Sequence, residues 1–164
     1  MAKNVITISR KYGSLGRDMG VALSEIYGIE YYDKDLIKIA SEETGIHESL
    51  FGKADEKING SFFIKRSGAY KGTVEPPTSA DYTSDKNIFS LQAEIIKRLA
   101  ERESCIIIGR CASYVLKDFD NVCNIFLYGS EEFCVDNIAK RYALTTKEAE
   151  KLSEQVTKQR SQYY

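Results

Sequence analysis

Residues 4–18 read NVITISRKYGSLGRD: an apolar run, a glycine-spaced basic loop and the opening of an amphipathic helix. Val5–Ile8 is short and β-branched, as expected of a buried parallel strand. Leu15–Tyr27 follows with Met19, Ala22, Leu23 and Ile26 at helical spacing, and Gly28 stops it. The phosphate-cradling pattern G-x-x-x-x-G-K-[ST] can be laid on this stretch. Its second Gly falls on Gly16, its Lys on Arg17, its Ser/Thr on Asp18 and its first Gly on Lys11. Gly13 and Gly16 are free to adopt positive φ, so that backbone N–H groups can turn inward toward an anion. The start of the helix adds the positive end of its dipole at the same place. Arg17 retains a positive charge and offers a planar fork to phosphate oxygens. The hydroxyl that helps hold Mg²⁺ is replaced by Asp18, which is either a substitute ligand or an acid that stabilises the first helical turn. Arg10 and Lys11 are either phosphate contacts or a solvated rim.

The sequence has 164 residues, 43% of them hydrophobic, which suits one domain over residues 1–164. Lys and Arg total 23 against 24 acidic residues, so no global field recruits nucleic acid or a membrane surface. Any anion site must be local, and Arg10, Lys11 and Arg17 supply one. No charged-then-apolar leader or membrane-length apolar run is present, so a soluble cytoplasmic protein is expected. Cys105, Cys111, Cys123 and Cys134 form no C-x-x-C pair, and His47 is the sole histidine. Metal-site spacing is absent, and buried reduced thiols are expected. Cys111 follows Gly109-Arg110 at a helix start, where a thiol pKa can fall; packing is the reading preferred.

Further along, Ile29–Tyr32 reads as a second strand, and Asp33 as the N-cap of a helix running to about Glu43. Residues 47–58 suggest another helix. Periodicity fades over residues 59–85, where glycines, Pro76 and Pro77 mark a long irregular stretch, basic at Lys65, Arg66 and Lys71. Asn87–Arg102 returns to helix, Cys105–Ile108 is a third strand, and Gly109-Arg110 leads a helix to about Leu116. Val122–Leu127 is a fourth strand; Ser130 opens one helix and Thr145 or Thr146 caps the last. Strands alternating with helices predict a three-layer α/β/α fold around a parallel sheet. Ligands gather at the carboxyl ends of such strands. Ser9–Arg17, Asp33 and Gly109-Arg110 all lie just past strand ends, where one crevice can hold them. A bare Arg110 after a fully apolar strand calls for an anion.

The ordered segments ITISRKYGSLGRDMG, YYDKDLI, IIIGRCASYVL, NIFLYGSEE, KRY and QRSQYY resemble the cytidylate kinase-like family of P-loop proteins, related to the nucleoside monophosphate kinases. The resemblance implies a nucleotide-kinase-like fold that binds ATP and Mg²⁺ and transfers a phosphoryl group to a nucleoside monophosphate. Gly13, Ser14, Gly16 and Arg17 would grip the donor phosphates, Asp33 would help form the acceptor site, and Arg110 would hold the acceptor phosphate. Lys140, Arg141 and Arg160 would close over the phosphates from a lid-like region, residues 140–164. Residues 59–85 would be an acceptor-binding insertion or a mobile loop. The family's Asp-Gly-Arg-Asp sequence has lost both acids here, at Ile108 and Cys111. Kinases of this kind carry a fifth strand and a final helix after the lid. The sequence ends at Tyr163-Tyr164, which implies a piece of a longer chain or a core completed by a partner; a homo-oligomer stays open. The altered loop and strand end leave an alternative, a nucleotide- or anion-binding regulatory protein with weakened catalysis.

Overall fold

The computed structural model describes residues 3–51 and 73–160. Four parallel strands form its sheet: β1 (Val5–Arg10), β2 (Glu30–Tyr32), β3 (Cys105–Ile108) and β4 (Val122–Leu127), in the order β2-β3-β1-β4. The helices are α1 (Gly16–Tyr27), α2 (Asp35–Thr44), α3 (Asp85–Arg102), α4 (Ala112–Val115), α5 (Glu131–Tyr142) and α6 (Thr146–Arg160). β1 pairs with β3 from Val5↔Cys105 to Ile8↔Ile108 and with β4 from Val5↔Val122 to Arg10↔Leu127. β2 pairs with β3 from Glu30↔Cys105 to Tyr32↔Ile107.

The period-two pleat sorts the apolar residues into two cores. Ile8, Ile106 and Ile108 form one cluster, with Met19 and Leu23 of α1 against it. Val5, Cys105 and Ile107 belong to the other, with Leu36 and Ala40 of α2, Ile96 and Leu99 of α3, and Ala112 and Val115 of α4. A sheet covered on both faces explains why β3 is buried at every position and apolar throughout. The expected three-layer α/β/α fold is therefore what forms. β4 lies at the edge and is less covered, with Phe126 exposed.

Element boundaries differ in detail from expectation. β1 runs two residues past Ile8, because β4 continues to pair with it as far as Arg10. α3 begins at Asp85 rather than Asn87, since the Ser84 hydroxyl accepts from the Asn87 amide at 3.3 Å and caps it. Of the helix expected over residues 47–58, residues 48–51 are helical, with His47 Nδ1 accepting from the Ser49 amide at 3.2 Å. Residues 52–58 lie outside the described residues, as do 59–72 with Lys65, Arg66 and Lys71. Residues 73–84 form turns without a helix or strand.

Ser130 caps α5 as expected, accepting from the Phe133 amide at 3.2 Å. Thr145 and Glu148 close a reciprocal capping box at the start of α6, with the Thr145 amide and hydroxyl donating to Glu148 Oε2 at 2.9 and 2.6 Å. α6 folds back on α5 through Val135, Ile138 and Ala149. No helix among the described residues is long and apolar enough to cross a membrane.

The burial contrast sets a stability test. Ile107 is fully buried in the sheet and Ile26 is 73% exposed on α1. Ile107→Ala is expected to cost about 2–5 kcal/mol in urea unfolding, whereas Ile26→Ala stays within about 0.5 kcal/mol of the parent.

Candidate functional site

The loop between β1 and α1 is fixed from two sides. Along β4, the Lys11 amide donates to the Leu127 carbonyl at 2.9 Å, and the Ser14 hydroxyl reaches the Lys11 and Leu127 carbonyls at 2.8 and 3.2 Å. Along α5, Asn137 Nδ2 donates to the Gly13 carbonyl at 3.0 Å, and the rings of Tyr12 and Tyr142 stack with centroids 6.4 Å apart. Gly13 has φ 81°, and a Cβ there would collide with the backbone carbonyl of Cys134. Glycine is needed at this position for both reasons.

The second left-handed position is Leu15, at φ 61°, and Gly16 does not use its freedom to adopt positive φ. Gly16 answers a steric demand instead: its missing Cβ would lie 2.8 Å from Cβ and Cγ of Arg10. The Met19 amide donates to the Leu15 carbonyl at 3.0 Å and closes the first helical turn. By helix geometry, the amides of Gly16, Arg17 and Asp18 then have no intrahelical acceptor. They sit at the positive end of α1, facing a cleft that these three residues line.

Arg10 crosses the floor of that cleft. Its stem packs on Gly16, and its guanidinium occupies the place a side chain at Gly109 would take. Its Nη2 lies 3.9 Å from Asp33 Oδ1, so one side chain leaves the end of β1, passes that of β3 and meets that of β2. With 21% of the side chain exposed, Arg10 is part of the floor and not a solvated rim. Arg17 approaches the same carboxylate from α1, with Nε 3.6 Å from Asp33 Oδ2 and donating to the Tyr31 hydroxyl at 3.2 Å. The Tyr31 hydroxyl, and Asp33 after it, hold the Arg17 guanidinium above its ordinary pKa.

Asp33 does not cap α2. The N-cap is Lys34, with no side-chain capping bond, and the Asp33 carboxylate turns to the two guanidiniums instead. Two charges in a half-dry crevice outbid one amide at a helix start. Beyond β3, Gly109, Arg110 and Cys111 have φ values of 71°, 56° and 53°. Three successive left-handed residues swing the chain into α4 and set Arg110 in the cleft wall; the two without glycine's freedom carry local strain.

The cleft measures about 780 Å³ and gathers most of the residues singled out from sequence. Arg10, Lys11, Gly13, Ser14, Leu15, Gly16, Arg17, Asp18, Asp33, Arg110, Lys140 and Arg141 all line it. Seven cationic side chains, Lys34 among them, face two acidic ones. Arg141 reaches across from the last turn of α5, its Nη2 3.3 Å from Asp18 Oδ1. The side chain of Arg160 lies outside the described residues. Sequence reasoning missed Asn137 and the Tyr12–Tyr142 stack. Neither has a local signal, since each acts across the gap between the loop and α5.

Magnesium needs hard oxygen ligands in near-octahedral geometry. Of the side-chain oxygens that line the cleft, Ser14 is directed at two carbonyls, Asp18 pairs with Arg141, and Asp33 lies between Arg10 and Arg17. Among the described residues no group of three or more His, Cys, Asp or Glu could hold a metal ion. This donor set does not fit a protein-held Mg²⁺.

The thiols also differ from expectation, because not all of them are buried. All four are free, Cys105 and Cys134 buried, Cys111 half-buried and Cys123 exposed on the edge strand. The start of α4 does not activate Cys111: burial pushes its thiol up to about 11, outweighing the opposing pull of Arg110. Burial likewise pushes Cys105 up to about 12.

A parallel sheet covered by helices, with a cleft at the carboxyl ends of its strands, defines an α/β protein whose ligand site is expected there. The chain belongs to the cytidylate kinase-like family, whose model matches residues 5–164. Membership supports a kinase-like nucleotide-binding protein and, in general terms, nucleotide and metal use. No curated protein matches the chain. The crystal structure of an uncharacterized protein from Eubacterium ventriosum ATCC 27560 is similar, with a TM-score of 0.63 and 22% identity, over 96% of this chain and 73% of that one. At that identity the likeness speaks for the fold.

Two outcomes follow from the site's geometry. Gly13→Ala is expected to lower stability by about 1–3 kcal/mol, from positive-φ strain and the clash with α5, measured by urea unfolding. Titration of the native protein with an aromatic disulfide at pH 8 should modify the exposed Cys123 rapidly, while Cys105 and Cys134, which are buried, and Cys111, whose thiolate burial disfavours, react only on unfolding.

Proposed function

We propose that the chain is a nucleotide phosphotransferase of the nucleoside monophosphate kinase type, moving a phosphoryl group from ATP to a nucleoside monophosphate. One observation carries this reading: a single cleft at the carboxyl end of a parallel sheet brings Arg10, Arg17, Arg110 and Arg141 together with the amino end of α1. Phosphoryl transfer asks a protein for positioning and charge neutralisation more than for covalent chemistry. The loop from Lys11 to Asp18 takes the donor phosphates on its amides and helix dipole. Arg110 holds the acceptor phosphate. An oxygen of that phosphate attacks the γ-phosphorus; the bond from phosphorus to the bridging oxygen breaks, and ADP leaves with the electron pair. Arg10 and Arg17, spaced by Asp33, neutralise the equatorial oxygens in between.

One set of contacts favours a second reading, a nucleotide-binding regulatory protein with weakened transfer. Arg17 turns toward Tyr31 and Asp33, and the Ser14 hydroxyl is spent on carbonyls. Incubation with ATP and a panel of nucleoside monophosphates, with Mg²⁺ and without, separates the two by following ADP release. Transfer to at least one monophosphate is expected, with Arg110→Met and Arg17→Met each lowering kcat/KM by about 10²–10³-fold. No transfer to any acceptor, with ATP still bound, supports the regulatory reading and overturns the kinase.

A further inference from the structure

We infer that this cleft takes nucleotide phosphates as a metal-free anion, with the Arg141 guanidinium supplying the countercharge at the position where phosphate loops keep a hydroxyl for magnesium. The inference rests on the nucleotide-site reading above and deepens it. The residue in that position is Asp18, in the first turn of α1, and its carboxylate is engaged by Arg141 Nη2 at 3.3 Å. The guanidinium therefore stands beside the amides that open α1, where phosphate oxygens gather. A planar fork matches two such oxygens at once, which a hydrated dication does through its water shell.

The rest of the donor set agrees. Asp33 is flanked by guanidinium groups at 3.9 and 3.6 Å, so a dication approaching it meets Arg10 and Arg17 first. The Ser14 hydroxyl is buried and directed at backbone carbonyls. With seven cationic side chains against two acidic ones, the cleft repels a free dication and attracts a polyphosphate. Arg141 also links α5 to α1, so the charge that replaces a metal comes from the same helix that pins Gly13 through Asn137.

Calorimetric titration of the full chain with ATP, in EDTA and in excess Mg²⁺, tests this directly. The Kd values are expected to agree within about fivefold. Arg141→Met is expected to weaken ATP about tenfold in both buffers, the loss typical of a charge-assisted pair. Asp18→Asn, which removes the carboxylate facing Arg141, is expected to keep the ratio of the two Kd values within the same fivefold, and a Mg²⁺ response that changes beyond that on this substitution counts Asp18 as a metal ligand and overturns the inference. Tightening by Mg²⁺ of more than about fivefold, or Arg141→Met binding ATP as the parent does, overturns the inference while leaving the nucleotide site intact. Absence of ATP binding in both buffers overturns the nucleotide-site reading itself, which keeps the two failures distinct.

Discussion

Three parallel strand ends in this protein are bridged by one carboxylate and two guanidiniums, and the architecture around the cleft follows from that contact. Asp33 leaves β2 with its side chain nine-tenths buried, Arg10 reaches it from β1, and Arg17 reaches it from α1. Like charges at that spacing would repel without the carboxylate between them. With it, two cations are held together where the sheet meets the cleft, and both line that cleft. Gly109 and Gly16 are the steric counterpart of the same contact, because any side chain at either would displace Arg10.

The loop above this floor is rigid for a different reason. Its carbonyls and rings are taken up by β4 and α5 through Ser14, Asn137 and Tyr12, so its shape is imposed before any ligand arrives. Preorganisation of this kind lowers the entropy lost on binding and keeps amides aimed at a fixed point. α5 thus does two things: its middle holds the loop, and its last turn delivers Lys140 and Arg141 to the rim.

Much of this was legible in the residues, and the exceptions share a cause. The four strands, the sheet's parallel character and the convergence of residues 9–17, 33 and 109–110 follow from apolar runs and turn positions, which are local signals. Asp33 reads locally as a cap, because the competing partners, Arg10 and Arg17, lie 23 and 16 residues away in sequence and only the fold brings them near. The freedom that glycine offers at position 16 is visible in the sequence, but its actual constraint, the neighbouring Arg10 side chain, is not, and Leu15 bears the strained conformation. Asn137 and Arg141 lie on an ordinary amphipathic helix; nothing in their spacing says that one faces a glycine carbonyl and the other an aspartate.

The account stands on an oxyanion seated between the opening of α1 and the arginines at the strand ends. Amide chemical shifts followed during titration with ATP locate that anion most directly. The account predicts the largest shifts at Gly13 through Asp18 and at Arg110 and Cys111, with smaller ones along the last turn of α5. Shifts confined to other surfaces, with the amides of residues 13–18 unmoved at saturation, would contradict it.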